Sequence, residues 1–201
     1  MFIKRLIDIL ASFFGLLLML PILSIFIFLI YFNDKHNPFF IANRIGLNGL
    51  TFKMVKLRSM VINADKTGID STSLNDTRIT NIGKTVRKYK LDEFTQLWNV
   101  LRGEMSLVGP RPNVERDTKL YTSVEKKLLS VKPGITDFSS IVFSDEGDIL
   151  KDSIDPDLDY NQLIRPWKSR LGILYIENQS TLLDLKIIIF TVISIFSKEK
   201  A

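Results

Sequence analysis

Residues 9–32 form a run of 24 residues without a charged side chain. At about 1.5 Å of rise per residue, a helix of this length can cross the roughly 30 Å hydrocarbon layer of a bilayer. The run is too long for the apolar part of a secretory signal peptide, and no small-x-small cleavage site follows it. We therefore expect a retained membrane helix.

Two features bear on whether this helix spans the bilayer. Pro21 lies near the middle of the run, where it removes a helical N–H and is expected to kink the helix. Lys4 and Arg5 precede the run, while Lys35 and Arg44 follow it, so positive charge favours neither end. A re-entrant helix whose two ends lie on the same face fits both facts. A kinked spanning helix fits the proline equally well, and the physics leaves both open.

The composition restricts the chemistry. The chain is 46% hydrophobic yet has a formal net charge of +5, and basic proteins usually bind phosphates. It contains no cysteine, and His36 is its only histidine. These counts argue against a disulfide framework, thiolate chemistry, a histidine zinc site and a Ser-His-Asp triad. Catalysis would fall to carboxylates, Lys, Ser, Thr or Tyr.

The central block, residues 91–112, reads LDEFTQLWNVLRGEMSLVGPRP. Its apolar residues recur at helical spacing as far as Gly103, which predicts an amphipathic helix with Phe94, Leu97, Trp98 and Leu101 on one face. Asp92 and Glu93 lie in its first turn, where free N–H groups favour an ionised acid. An ionised Asp can act as a nucleophile, and an ionised Glu can bind a hard cation. Taken alone, the block is explained as simply by acids that stabilise a helix.

Several cations surround this block in sequence. Asn48-Gly49 between apolar runs predicts a β-hairpin, and residues 51–58 alternate as a strand that places Lys56 and Arg58 on one face. Such a face suits a phosphate ligand, although a solvated face explains it as well. Residues 65–80 are expected to form a mobile loop and residues 81–89 a helix. Further cations follow at Arg78, Arg87, Arg111 and Lys132.

The C-terminal half predicts fewer regular elements. We expect a helix at 113–127, a turn at 131–136, an acidic loop at 137–159 and a helix at 167–178. Residues 187–196 are almost wholly apolar but too short to span a bilayer, so they could form a buried core helix or lie in the membrane interface. The apolar run at 9–32 favours the interface, with the helix at about 182–197. The residues alone thus indicate a membrane-bound enzyme that handles phosphates, with carboxylates able to hold Mg²⁺.

Four segments carry a resemblance to the bacterial sugar transferase family, whose small members are monotopic phosphoglycosyl transferases. They are KLRSM (56–60), the central block (91–112), VKPGIT (131–136) and LLDLKII (182–188). The resemblance covers almost the whole chain. It implies an α+β, mostly helical fold. Residues 1–36 would form a re-entrant membrane helix. Residues 37–201 would form a catalytic domain with a short β-hairpin and an interfacial helix at about 182–197. This domain would lie on the cytoplasmic face of the bacterial inner membrane.

The resemblance also implies a reaction. A nucleoside diphosphate sugar, usually a UDP-sugar, donates its phospho-sugar to undecaprenyl phosphate and UMP leaves, as the first membrane step of lipopolysaccharide, exopolysaccharide or other glycoconjugate assembly. Asp92 matches the family's nucleophile and Glu93 its Mg²⁺ ligand. The phosphate-binding candidates are Arg111 and Lys132, followed by Lys56, Arg58, Arg78 and Arg87. The partners implied are both substrates and the lipid bilayer, with no nucleic acid, and a homodimer stays open.

Three departures from the family pattern stand beside these matches. Asp137 and Phe138 follow the 131–136 segment where many members have Gly-Trp-Ala-Gln, and Gly172 replaces an Asp that many members carry three residues before the position of Tyr175. These two concern the sugar and nucleotide pocket rather than the acidic pair. Leu20, instead of Ser, precedes Pro21. A catalytically silent membrane scaffold is the alternative from another class, and the apolar run disfavours a nucleic-acid binder.

Overall fold

A computed structural model describes residues 2–67, 76–144, 146–151 and 153–197 of the chain. Within these residues the protein is mostly helical, with two small two-stranded sheets. The predicted mostly helical class and its β-hairpin are therefore confirmed. The expected loop at 65–80 falls largely on residues 68–75, which lie outside the described residues.

Helix α1 (Phe2–Asp34) contains the apolar run and is the one described helix long and apolar enough to cross a membrane. Pro21 lies inside α1 and does not end it, so α1 is one helix that continues through the proline. One face of α1 is buried, at Asp8, Ser12, Leu23 and Ile30. The opposite face exposes a long row of large apolar side chains.

Both ends of α1 contact the globular part of the protein. Near the start, Lys4 Nζ lies 2.7 Å from Asp184 Oδ2, and Arg5 Nη1 donates to the carbonyl oxygen of Val100 over 2.6 Å. At the end, Asp34 accepts hydrogen bonds from Arg58. Between these anchors, Leu23 and Ile30 pack with Leu57, Val86 and Leu91. The helix therefore packs along the domain over its full length.

The predicted hairpin consists of β1 (Phe39–Ile45) and β2 (Thr51–Leu57), which pair in antiparallel register from Phe39 opposite Leu57 to Ile45 opposite Thr51. Asn48 and Gly49 in the turn have φ values of 55° and 78°. These are left-handed conformations that Asn and Gly adopt most readily, which explains why this pair marks the turn. The strand ends at Leu57, one residue before the predicted boundary.

Helix α2 (Asn81–Lys88) confirms the predicted helix at 81–89, but the single helix expected after it is divided into α3 (Leu91–Phe94) and α4 (Leu97–Arg102). The hydroxyl of Thr95 donates to the carbonyl of Asp92 within its own helical turn and to the carbonyl of Val55 in β2. The chain tightens there through bonds between residues three apart, such as that from the Gln96 N–H to the Glu93 carbonyl. Gly103, with φ of 81°, ends α4 as predicted.

The predicted apolar face of the central block is only partly buried. Leu97 is buried and Phe94 packs against the core cluster around Leu23, whereas the side chain of Trp98 is 52% exposed. Trp98 is therefore not part of the buried face.

The following segments differ from the sequence prediction. The expected turn at 131–136 contains β4 (Gly134–Thr136), which pairs in parallel with β3 (Ser106–Val108). The expected helix at 113–127 is α5 (Glu115–Lys119) and a 3₁₀ turn at Glu125–Ser130. These short elements have no clear apolar period, so the sequence pattern did not reveal their bounds.

The expected acidic loop at 137–159 contains three short helices. They are α6 (Phe138–Val142), α7 (Glu146–Ile149) and α8 (Pro156–Asp159). Asp137 caps α6 by accepting from the Ser140 N–H, and Asp155 caps α8 by accepting from the Leu158 N–H. The acidic residues that suggested a loop therefore start helices instead.

Two longer helices complete the fold as predicted, α9 (Arg165–Glu177) and α10 (Thr181–Ser197). Tyr175 of α9 is fully buried, and its hydroxyl donates to Asp184 of α10 over 2.7 Å. Lys4 of α1 bonds to both residues, so the three helices meet at one polar junction. This junction fixes the start of α1 against the C-terminal half of the chain.

Candidate active site

The acidic pair is held against β2 by two polar side chains of the central block. Asn99, fully buried, accepts from the Val55 N–H over 3.0 Å and donates to the Lys53 carbonyl over 2.7 Å. Thr95 donates to the Val55 carbonyl over 3.0 Å. These bonds satisfy the strand edge that β1 does not cover and fix the position of Lys56 relative to Asp92. Neither residue was predicted from the sequence, although two polar residues four apart in an apolar helix were a usable signal.

Asp92 and Lys56 form the centre of the site. Asp92 Oδ2 lies 3.9 Å from Lys56 Nζ, and the two side chains are only 15% and 18% exposed. Burial raises the pKa of the Asp92 carboxyl, and the neighbouring Glu93 adds to this effect, whereas the charges of Lys56, Arg87 and Arg111 oppose it. Helix α3 has only four residues, so its dipole is not what governs this carboxyl.

Glu93 is bound by Arg111, whose Nη2 lies 3.1 Å from Glu93 Oε1. Burial favours the neutral acid, but the charges of Arg111, Lys56 and Lys90 outweigh burial and lower the pKa of Glu93 to about 2. The two adjacent carboxyls therefore have opposite pKa shifts. Glu93 is ionised at neutral pH, while the charge on Asp92 depends on the cations around it.

Lys56 is itself surrounded by charge. Burial lowers the pKa of its ammonium group and Arg111 lowers it further, whereas Asp92 and Glu93 act in the opposite direction. Arg44 of β1 also contributes to this lowering. From the sequence, Arg44 was only a charge that follows the apolar run. The proximity of Arg44 to Lys56 depends on the hairpin register, which the sequence does not reveal.

Arg87 lies close enough to Asp92 for their charges to interact. Its Nε donates to the Ser59 hydroxyl over 2.9 Å, which fixes the side chain. Arg78 lies next to Arg87. It is paired with Asp76 at 2.7 Å, and the charges of this pair act on Arg87. The structure thus brings Arg87 close to Asp92, and it places Arg78 next to Arg87 and Asp76.

Two of the predicted phosphate-binding residues lie elsewhere. Arg58 donates to both carboxylate oxygens of Asp34, one bond being 2.7 Å long, and its Nε donates to the Asn37 carbonyl. It follows the end of β2 and binds the end of α1, so it does not share a site with Lys56. Lys132 lies near Arg5 and Asp8 of α1. The structure places neither residue among the charges that act on Asp92.

The carboxylates also permit a test of the predicted Mg²⁺ site. Among the described residues, no group of three or more His, Cys, Asp or Glu side chains is placed to hold a metal ion. The protein therefore offers one or two carboxylate ligands, Glu93 and its neighbour Asp92. Mg²⁺ commonly binds in this way, through one or two carboxylates together with substrate phosphates and water. The donor set fits Mg²⁺ that is held jointly with a phosphate substrate.

The chain matches a known protein family over almost its whole length. Residues 1–198 match the family described as bacterial sugar transferase. Over 199 residues the chain is 36% identical to the galactosyl transferase CpsE of Streptococcus agalactiae, covering 94% of this chain and 41% of that protein. It is 35% identical over 205 residues to the UDP-glucose:undecaprenyl-phosphate glucose-1-phosphate transferase of Klebsiella pneumoniae, covering 100% of this chain and 42% of that protein.

A relative of similar length is the sugar transferase EpsL of Bacillus subtilis, which is 33% identical over 199 residues that cover 99% of this chain and 90% of that protein. The chain thus spans about two fifths of the length of the first two relatives and almost all of the third.

Proposed function

Because the chain belongs to the bacterial sugar transferase family, we propose that it is a phosphoglycosyl transferase. Its reaction would move a sugar 1-phosphate from a UDP-sugar to undecaprenyl phosphate with release of UMP. The observation that carries this proposal is the position of Asp92 between three cations, Lys56, Arg87 and Arg111, and beside the ionised Glu93. The Klebsiella relative is named for the same class of substrates.

Asp92 is the proposed nucleophile. One carboxylate oxygen attacks the β-phosphorus of the donor, and the bond from that phosphorus to the bridging oxygen breaks, so that its electron pair leaves with UMP. The product is an acyl phosphate that carries the sugar. A phosphate oxygen of undecaprenyl phosphate then attacks the same phosphorus and releases the Asp92 carboxylate. Since burial disfavours the ionised acid, the surrounding cations are what keep this carboxylate available for attack.

The cations also bind the phosphates. Arg111 has a planar guanidinium that can hold two phosphate oxygens at once, while Lys56 acts as a compact charge. Glu93 is the proposed Mg²⁺ ligand. A bound Mg²⁺ ion would neutralise part of the negative charge of the diphosphate. Arg111 already contacts Glu93, so the guanidinium and the metal ligand lie on the same side of the site.

We propose that α1 is re-entrant and that the domain lies on the cytoplasmic face of the bacterial inner membrane. The support is that Lys4 and Asp34, near opposite ends of α1, both contact the same globular part. The exposed apolar side chains of α1 and α10 would face lipid, among them Phe13, Phe14, Leu17, Leu18, Leu182, Leu185 and Ile189. In the proposed arrangement, a polyprenyl phosphate in the same membrane would reach Asp92.

The test is UMP release from a panel of UDP-sugars, measured with the full chain in membranes that contain undecaprenyl phosphate. At least one donor should give UMP and a lipid-linked sugar, and Asp92→Asn should reduce both to background. Exposed Asp65 provides the matched control, as Asp65→Asn should keep wild-type activity. Absence of UMP with every donor, or an active Asp92→Asn variant, would overturn the proposal and favour a silent scaffold.

A further inference from the structure

A small cavity opens beside the acidic pair, between the loop that follows β3 and the start of α9. Its volume is about 30 Å³, which is room for one small polar group. The residues that line it include Arg111 and Asn113 from the loop, Asp137 and Ser139 from the start of α6, and Arg165 and Lys168 from α9. We call this the α9 cavity.

The α9 cavity is continuous with the proposed active site through one side chain. Arg111 lines the cavity and at the same time contacts Glu93 at 3.1 Å. A nucleotide sugar whose diphosphate is bound at Arg111 therefore has one of its two ends beside the cavity. That end is either the sugar or the nucleoside.

One hydrogen-bond donor of a residue that lines the cavity has no partner, whereas the carboxylate there is paired. Asp137 accepts from the hydroxyls of Ser139 and Ser140 and from the Ser140 N–H, so its carboxylate is already occupied. The Nε of Arg165 is buried and has no hydrogen-bond partner among the described residues. Buried donors are nearly always paired, so an unpaired one calls for an acceptor that binds there.

The positive and negative side chains around the cavity are equal in number. This balance favours a neutral acceptor over a charged one. Glu93 faces Arg111, Glu125 lies 3.9 Å from Arg165, and the cavity holds Asp137 as well as Lys168. Three cations are thus matched by three carboxylates. The diphosphate proposed to bind at Arg111 already adds negative charge, so a further phosphate or carboxylate in the cavity would be uncompensated. A neutral oxygen can accept the Arg165 N–H without adding charge.

We propose that the α9 cavity recognises a neutral oxygen acceptor at one end of the nucleotide sugar, with Arg165 as the specificity-determining residue. The acceptor is a sugar hydroxyl or a carbonyl of the base, which share this chemistry. The inference rests on the proposed function and adds a recognition residue to it. A site built to hydrogen-bond a substrate oxygen rejects analogues that lack the oxygen, because the buried donor is then left unpaired.

The test uses binding without turnover. The full chain with Asp92→Asn is titrated with the UDP-sugar that gives activity, in nanodiscs and with Mg²⁺ present. Adding Arg165→Met should weaken the Kd for the UDP-sugar about tenfold or more, the usual effect of losing a buried hydrogen bond to a charged group. Adding Arg165→Lys should restore part of the affinity. Arg170→Met, on the exposed side of α9 where Arg170 stacks on Trp167, is the matched control and should leave the Kd unchanged.

Titration with UMP distinguishes the two sources of the acceptor. If Arg165 binds the sugar, the Kd for UMP is the same with and without Arg165→Met; if it binds the base, the Kd for UMP weakens by the same factor as that for the UDP-sugar. An unchanged Kd for the UDP-sugar in a variant with wild-type thermal stability would overturn the inference, as would an equal loss in Arg170→Met. Failure of the proposed function is a separate result, namely no UMP release by the wild-type chain although the UDP-sugar binds.

Discussion

Arg111 lies with its Nη2 3.1 Å from Oε1 of Glu93, and this contact joins the loop after β3 to the helix that carries the acidic pair. The charge of the Arg111 guanidinium helps to lower the pKa of Glu93 and so keeps it ionised. Burial raises the pKa of the neighbouring Asp92 instead. Two adjacent carboxyls thus acquire different properties from their surroundings. The proposed division of roles, with a nucleophile at 92 and a metal ligand at 93, follows this difference.

Glu93→Gln should raise the Mg²⁺ concentration required for half-maximal UMP release by at least tenfold. The amide keeps the shape of the side chain but removes the negative charge that a hard cation requires. The measurement is a Mg²⁺ titration of activity at saturating donor. Glu115→Gln, on an exposed part of α5, is the control and should titrate like the wild type. An unchanged Mg²⁺ requirement in Glu93→Gln would remove Glu93 from the metal site.

Incubation with the UDP-sugar alone should leave a phospho-sugar on Asp92. A covalent intermediate forms before the lipid enters, so UMP should appear in an amount up to one equivalent of protein when undecaprenyl phosphate is absent. Peptide mass spectrometry should show the added mass on the peptide that contains Asp92 and not in Asp92→Asn. A strict need for both substrates before any UMP is released would favour a single displacement instead.

The sequence predicted those elements whose signals are local. The Asn48-Gly49 turn, α2, α9 and α10 were found because turn chemistry and apolar periodicity identify them directly. The resemblance identified Asp92 and Glu93, and the structure then placed Lys56, Arg87 and Arg111 around them.

The sequence could not predict features that depend on tertiary contacts. Thr95 bonds to β2 and divides the predicted helix, and nothing in the residues near Thr95 reveals that partner. Arg58 and Lys132 carry the right charge for a phosphate, yet Arg58 binds Asp34 and Lys132 lies beside the start of α1. Charge identifies candidates for a site, but only packing decides which of them meet.

Asn99→Ala should lower the free energy of unfolding by about 2–4 kcal/mol, because it leaves the Val55 N–H and the Lys53 carbonyl without their buried partner. Activity should also fall, since Lys56 lies on the strand that Asn99 fixes. Thermal unfolding in detergent and UMP release measure the two effects. Exposed Asn43 on β1 is the matched control, and Asn43→Ala should change neither. Wild-type stability in Asn99→Ala would show that β2 is fixed by other contacts.

Single cysteines at Phe2 and His36 should be labelled from the same, cytoplasmic side of the membrane. The chain has no cysteine of its own, so each introduced thiol is unique, and both positions are exposed. The physical reason is that α1 contacts the same globular part near both of its ends. A membrane-impermeant maleimide applied to intact spheroplasts and to inverted vesicles measures the side. Labelling of Phe2→Cys and His36→Cys from opposite sides would establish a spanning helix.

Asp34 and Arg58 should behave as one unit in a double-mutant cycle. If the role of Arg58 is to hold the end of α1, then Arg58→Met, Asp34→Asn and the double variant should lose similar stability, about 1–3 kcal/mol for a pair that is largely shielded from water. The Kd for the UDP-sugar should stay unchanged in all three, measured in the Asp92→Asn chain. If Arg58 binds phosphate instead, Arg58→Met weakens donor binding and Asp34→Asn does not reproduce that loss.

Lys119→Met, which breaks the exposed pair with Glu115, is the control for removing a surface cation and should leave both stability and binding within error of the wild type. The cycle therefore separates the phosphate-binding role that the sequence predicted for Arg58 from the contact that Arg58 makes with Asp34, since only a structural role makes the effects of the two single variants overlap.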